Sequence, residues 1–299
     1  MRGSRIALSI GGVNLELEAA QPSATLIVPE EYRPYVVADP ERADIYLCVH
    51  AGIPLDMGES GRPRLFSARH GIGEDTAVTD CLWSIEDDGQ QVFLVSADPE
   101  LTRYPALAAV LGHGNTQWDL FAEPIEGVLN PLRYPMGHLL IYHLVDRIGG
   151  VLVHACGISD ASDGYLFCGP SGIGKSTLAA LWARGGARVI SEDRLIVRRR
   201  GEAVHMFSTP RVGESVRAEA PVTVVGMLRQ ARANTFAGLT GATALSRLLT
   251  SCVQFYHQPS HIHRGLDAVT DIAARVPLFD IGFLPDFSIV EAIRNGALH

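Results

Sequence analysis

At 299 residues, 47% of them hydrophobic, the chain has enough apolar side chain to fold around one large core or two modest ones, which excludes a disordered polypeptide. Its formal charge of -8, from 25 basic and 33 acidic residues, opposes nucleic-acid and anionic-lipid partners, so any phosphate must be gripped locally. Five cysteines (Cys48, Cys81, Cys156, Cys168 and Cys252), widely spaced and without a CxxC pair, argue against a disulfide framework or a structural zinc and fit a reducing cytoplasm.

No charged start followed by an apolar block resembles an export signal. Ile6, Leu8 and Ile10 alternate with polar or small residues, Gly11-Gly12 follows, and Val13, Leu15 and Leu17 alternate again, which predicts a tight hairpin. Leu82 to Ser84 and Gln91 to Val95 flank Asp87-Asp88-Gly89 and predict a second. Short strands at Ile45 to Val49 and Gln117 to Phe121 complete a small sheet. Between residues 50 and 75, Gly, Pro, Arg and Glu dominate without periodicity, and a long surface loop is expected. The texture changes between Glu123 and Pro131. This divides a β-rich N-terminal domain, 1–125, with substrate recognition as its expected role, from an α/β domain, 126–299.

Past the boundary, Met136, Leu139, Leu140, His143, Leu144 and Arg147 recur at helical spacing, with Pro135 near the start and Gly149-Gly150 at the stop. The apolar run from Met136 to Ile158 is interrupted by His138, His143, Asp146, Arg147 and His154, so no membrane span is expected. Val151 to Ile158 and Tyr165 to Gly169 are strand-like, and the turn composition between them predicts a hairpin that sets His154 opposite Cys168 or Gly169.

Residues Gly169, Pro170, Ser171, Gly172, Ile173, Gly174, Lys175, Ser176 and Thr177 satisfy G-x-x-x-x-G-K-[ST], between a strand (Tyr165 to Cys168) and a helix (Lys175 to Arg184). The glycines let backbone N–H groups turn toward phosphate oxygens, and the helix N-terminus adds partial positive charge. Lys175 is expected to reach the β and γ phosphates of ATP, and the Ser176 hydroxyl to ligate Mg²⁺. After the helix, Gly185-Gly186 is a stop and Ala187 to Ser191 a short strand ending at Glu192-Asp193. The two strands of such a strand-helix-strand unit lie parallel, so these acids are expected at the same sheet edge as the loop, where they hold the metal or accept a proton. A histidine beside them, His154, could orient a carboxylate and tune its pKa.

These residues resemble the HPr kinase/phosphorylase catalytic domain and the wider set of HPr-kinase-like proteins, over about residues 131 to 230 and most closely from His154 to Arg194. In that family a histidine precedes the loop's first glycine by fifteen residues, as His154 precedes Gly169, and two acids follow the loop lysine by seventeen and eighteen, as Glu192 and Asp193 follow Lys175. The resemblance implies a phosphoenolpyruvate-carboxykinase-like P-loop fold and an ATP- and Mg²⁺-dependent kinase that phosphorylates serine on a protein or peptide. It implies that Lys175 and Ser176 bind ATP and Mg²⁺, that Glu192 takes the proton from the serine hydroxyl, that His154 supports that carboxylate, and that Asp193 assists the metal. It also implies assembly into homo-oligomers.

The chain departs from HPr kinases in three places. Glu192 stands where Asp is usual, so Asp193 is the alternative base. Thr177 stands where Glu usually follows the loop serine, and the Pro-Gly-Arg-Asn loop of the reverse reaction is missing. "FSTPRVGES", residues 207 to 215, is closer to HPr-kinase-like proteins with a β-rich N-terminal half, some of which resemble kinases of ribosomally made peptides.

Of two arginines that could meet the γ-phosphate, Arg211 and Arg229, the first has the better loop context. Arg198-Arg199-Arg200 reads as a solvated strand end, and Arg194 as a partner of neighbouring acids. His257, His261 and His263 form a cluster, but Pro259 interrupts the regular helical face that would converge their rings. A transporter-type ATPase is excluded by the lack of an LSGGQ-like signature and of an apolar strand ending in Asp-Glu. The alternative from another class is a nucleotide-responsive peptide-binding module without phosphoryl transfer.

Overall fold

A computed structural model describes residues 2–38, 42–54, 57, 62–69, 81–96, 107–112, 116–213, 215–253 and 259–298. The chain is mixed α/β and divides into two units, Met1–Ile141 with Arg211–Ser215, and Tyr142–Pro210 with Val216–His299. The division falls inside the helix that begins at Met136, whereas the change in composition lies near residue 125. Among the described residues no helix is long and apolar enough to cross a membrane.

The first unit holds strands β1 (Arg2–Gly3), β2 (Arg5–Ile10), β3 (Val13–Ala19), β4 (Thr25–Ile27), β5 (Val36–Val37), β6 (Ile45–Ala51), β7 (Arg64–Arg69), β8 (Cys81–Asp87), β9 (Gln91–Ser96), β10 (Leu107–Gly112), β11 (Gln117–Ala122) and β12 (Val128–Leu129). Nine of the described strands form one sheet in the order β5-β2-β3-β6-β11-β10-β9-β8-β7, and β1, β4 and β12 form a small second sheet. Both expected hairpins are present, closed by the Ile10–Val13 and Asp87–Val92 pairs. The two isolated strands pair parallel as β6 and β11. The sheet is larger than its sequence suggests for two reasons. Where a long loop is expected, β7 adds to β8 as an edge strand, with Leu65 and Phe66 left exposed, so it carries no buried alternation to read. Strand β10, "LAAVLG", is a short unbroken apolar run, which periodicity cannot tell from a helix.

Helix α1 (Met136–Arg147) runs from the first unit into the second, whose strands are β13 (Gly150–Asp160), β14 (Asp163–Cys168), β15 (Arg188–Ser191), β16 (Arg194–Arg200), β17 (Ala203–Ser208), β18 (Glu219–Pro221), β19 (Val224–Gln230), β20 (Thr235–Leu239) and β21 (Leu278–Phe283). They form one sheet, ordered β18-β17-β16-β13-β14-β19-β21-β20, with β15 also paired to β13. Helices α2 (Lys175–Arg184), α3 (Gly241–Leu249), α4 (Pro259–Arg275) and α5 (Ser288–Ala292) complete the unit.

Strand alternation divides the apolar residues of β13 and β14 between two cores. Cys156, Ile158, Tyr165 and Phe167 pack with Leu178, Ala179 and Trp182 of α2 and Ile289 and Val290 of α5. Val153, Ala155, Leu166 and Cys168 pack with Ala244 and Leu248 of α3 and Val269 and Ile272 of α4. The unit is therefore a sheet with helices on both faces. Because almost every side chain of these strands is buried, the sequence there reads as a near-continuous apolar run.

Candidate functional site

The hairpin β13–β14 turns at Ala161-Ser162, and its register sets Ala155 opposite Cys168, so His154 is level with Gly169, as expected from the sequence. Beyond Cys168 the chain leaves the sheet, and the edge of β13 that it vacates is capped by another segment. The His154 N–H donates to the Ser251 carbonyl at 2.8 Å, and the Val253 N–H to the Leu152 carbonyl at 2.7 Å. The backbone of His154 is thus satisfied without the loop, which is free to curve over the head of α2.

In that loop, Pro170, Ser171 and Gly172 are exposed, Ile173 and Gly174 half-buried, and Ser176 and Thr177 exposed, while Lys175 is only 6% exposed. Gly174 has φ 112°, and a Cβ there would lie 2.6 Å from Cζ of Phe283, so both backbone and packing require glycine. The Lys175 ammonium donates to the carbonyls of Gly169 (2.8 Å) and Pro170 (3.0 Å), which closes the loop on itself. Helix α2 has no side-chain cap, and its first intrahelical bond is from Leu178 N–H to the Gly174 carbonyl. The N–H groups of Lys175, Ser176 and Thr177 precede that bond and have no helical acceptor. These donors, the ammonium and the Ser176 hydroxyl suit a phosphate chain with a divalent ion.

The acids come from the opposite edge of β13. Strands β14 and β15 both run antiparallel to β13, so they are parallel to each other as expected, but β13 lies between them. Glu192 and Asp193 follow the end of β15 at Ser191, as expected, but on the far side of β13 from the loop, and a second strand, β16, resumes at Arg194. The chain from Arg188 to Arg200 pairs along β13 twice, as β15 and then as β16, and the two acids occupy the interruption, facing Ala155 and Cys156. The Ala155 N–H donates to the Asp193 carbonyl at 3.0 Å, which pins the break. Cys168 and Asp193 therefore flank Ala155 on its two sides, two strand spacings apart, or about 10 Å.

His154 Nδ1 lies 3.6 Å from Asp193 Oδ1, and Arg194 Nε 3.9 Å from Asp193 Oδ2. The imidazole thus stands beside Asp193, the acid assigned to the metal by the family resemblance. Glu192, half-buried, has no hydrogen bond or ion pair among the described residues, so its carboxylate is available. Its charge is felt nearby. Burial, then Glu192, pushes the Cys156 thiol up to about 12, against the pull of Lys175. Burial also holds Lys175 below the ordinary lysine value, opposed by Cys168, Asp193 and Cys156. Burial, then Lys175, keeps His154 below its usual value despite Asp193, so the ring is neutral at pH 7. Loop lysine, histidine and acids form one electrostatic cluster.

Other candidates fall elsewhere. Arg211 is exposed and opens the segment Arg211–Ser215, which groups with the first unit. Arg229 is held by Asp280 (2.7 Å) and Thr235 (2.8 Å), with Arg247 on the other Asp280 oxygen (2.8 Å). Of the histidine cluster, His257 lies outside the described residues. His261 and His263 lie on α4, whose described residues begin at Pro259. His261 Nε2 sits 3.7 Å from Asp146, which Arg264 grips at 2.6 Å, and its ring meets His143 edge-on at 6.1 Å. Ser251, which sequence reasoning missed, supplies backbone support to His154 through tertiary pairing and left no local signal.

No protein-family signature matches the chain, and no curated protein is significantly similar to it. A solved structure, the HPr(Ser) kinase/phosphatase from Coxiella burnetii, aligns with 48% of this chain and 96% of its own at 13% identity. The TM-score is 0.30, a weak likeness on which no argument rests.

Proposed function

We propose that the second unit binds ATP with Mg²⁺ and transfers the terminal phosphoryl group to a hydroxyl, with serine of a protein or peptide as the acceptor. The observation that carries this reading is the placement of Lys175 and the uncapped α2 N-terminus on one side of β13, level with the His154–Asp193 pair on the other. Lys175 would leave the carbonyls of Gly169 and Pro170 and follow the transferred charge, while the free N–H groups hold the phosphates in place. The ion would neutralise charge on the phosphate oxygens, held by the Ser176 hydroxyl and Glu192.

Asp193 takes the proton of the attacking hydroxyl. The neutral His154 ring, 3.6 Å from Asp193 Oδ1, would draw in to donate to that carboxylate and fix its direction when substrate is bound. This exchanges the roles that the family resemblance implies for Glu192 and Asp193, because the imidazole stands beside Asp193.

The test is transfer of label from γ-labelled ATP to a degenerate serine-peptide library by the full chain and by Asp193→Asn and Glu192→Gln. Transfer to serine that falls about 10²-fold or more in Asp193→Asn, with ATP still bound, is the expected result. Glu192→Gln should instead raise the Mg²⁺ concentration required. ATP binding without transfer, unchanged in both variants, would leave a nucleotide-responsive binding module.

A further inference from the structure

The parallel pairing of β6 with β11 brings Asp119 beside Cys48 and His50, two side chains of one strand, the second 69 positions from Asp119 in the sequence. Asp119 faces Cys48 in the register, and His50 is two residues along the same strand, so all three share one face of the sheet. His50 Nε2 and Asp119 Oδ1 are 2.8 Å apart. The imidazole is stacked on Phe121, with centroids 4.8 Å apart and planes at 19°, which restricts its rotation. One ligand atom from each of the three residues lies within 4.8 Å of the others. A tetrahedral ion at zinc-like bond lengths needs ligand atoms about 3.3–3.8 Å apart, a separation that small side-chain rotations supply. On the neighbouring strand, Glu18 pairs with Cys48 and adds a second carboxylate beside the thiol.

We propose that Cys48, His50 and Asp119 of the first unit bind one divalent transition-metal ion of the zinc class. The donor set decides the class. Sulfur and imidazole with one carboxylate suit borderline ions, whereas Mg²⁺ and Ca²⁺ take oxygen ligands. A thiolate and a carboxylate balance the ion's two charges, Glu18 biases the surroundings toward a cation, and the fourth tetrahedral position is left to water. Bound there, the ion ties β6 to β11 near the middle of the nine-stranded sheet. This site is independent of the nucleotide reading, and neither depends on the other.

The experiment uses the full chain, stripped with chelator and titrated with Co²⁺ and then Zn²⁺. The expected result is a sulfur-to-cobalt charge-transfer band that saturates at one equivalent, is abolished by Zn²⁺, survives Cys252→Ser and disappears in Cys48→Ser. Outer-shell changes alone weaken metal sites about 10- to 100-fold, so Asp119→Asn and His50→Gln should weaken Zn²⁺ binding at least about tenfold. Should Cys48→Ser fail to fold by circular dichroism, the Asp119→Asn affinity decides, since that side chain is half exposed at 52%. A wild type without the band, a band that persists in folded Cys48→Ser, or wild-type Zn²⁺ affinity in Asp119→Asn and His50→Gln would overturn the site.

Discussion

Replacing Gly174 with alanine adds one methyl group at the point where the loop meets the head of α2. At φ 112° an L-residue is strained, and a left-handed backbone costs about 1–2 kcal/mol. The added carbon would also stand 2.6 Å from the ring of Phe283, which is 1% exposed and has no room to swing away. Overpacking of that kind costs roughly 1–3 kcal/mol. The two together give about 2–5 kcal/mol. Gly172→Ala is the control: its φ is 76° with nothing within 4 Å, so only the backbone cost of about 1–2 kcal/mol applies. The loop's escape from the clash is to move, which would break the Lys175 bonds to Gly169 and Pro170. Urea unfolding and titration with a fluorescent ATP analogue measure the two consequences. Gly174→Ala is expected to lose at least about 1 kcal/mol more than Gly172→Ala and to weaken nucleotide at least about tenfold. Adding Phe283→Leu should return part of the loss. Equal behaviour of the two alanine variants, or no coupling to Phe283→Leu, would refute the packing argument.

Lys175→Ala removes the ammonium that bonds two loop carbonyls, and at about 1.5–3 kcal/mol for charged hydrogen bonds should weaken ATP binding about 10- to 100-fold while far-UV circular dichroism stays unchanged. The His154 pKa in the fold is below its ordinary 6.5, so the unfolded chain takes up that proton first as the pH falls. Stability linked to this group is therefore full above about pH 6.5 and lost below it, and His154→Gln should flatten the slope of urea midpoints measured from about pH 7 to about pH 5. Asp280 joins Arg229 of β19 and Arg247 of α3 to β21. Both arginines are nearly half exposed, so Asp280→Ala should cost only about 1–2 kcal/mol, and Arg229→Ala in that background should cost less than it does alone.

The features that can be read from the sequence are those fixed within a few residues. Gly11-Gly12 and Asp88-Gly89 mark hairpins because two-residue turns and tight loops have a narrow chemistry, and α1 and α2 show because their starts, stops and periodicity are local. The register that levels His154 with Gly169 follows from the turn at Ala161-Ser162 alone. What depends on a distant partner is hidden. That β13 lies between β14 and β15 is decided by pairing across the sheet, and so is the capping of its vacated edge by Ser251 to Val253. Cys48, His50 and Asp119 show the same limit in the first unit. No spacing rule connects them, since it is the parallel register of β6 and β11 that brings them together.

The interruption at Glu192-Asp193 has a geometric purpose that follows from strand alternation. In an unbroken strand, consecutive side chains point to opposite faces. Opposite Cys156, Glu192 would share the face of His154, and Asp193, opposite Ala155, would turn toward the other core. The break releases Asp193 from that alternation. Its carboxylate comes within 3.6 Å of the imidazole, and its charge acts on Lys175, while Glu192 still acts on Cys156 from its own position. A single gap in one strand thus lets Asp193 act on the imidazole and the loop lysine while its neighbour Glu192 acts on Cys156. It follows that restoring pairing across residues 192 and 193 would separate the acids even with both carboxylates retained, so the chemistry proposed for this site depends on the backbone of Asp193 as much as on its side chain.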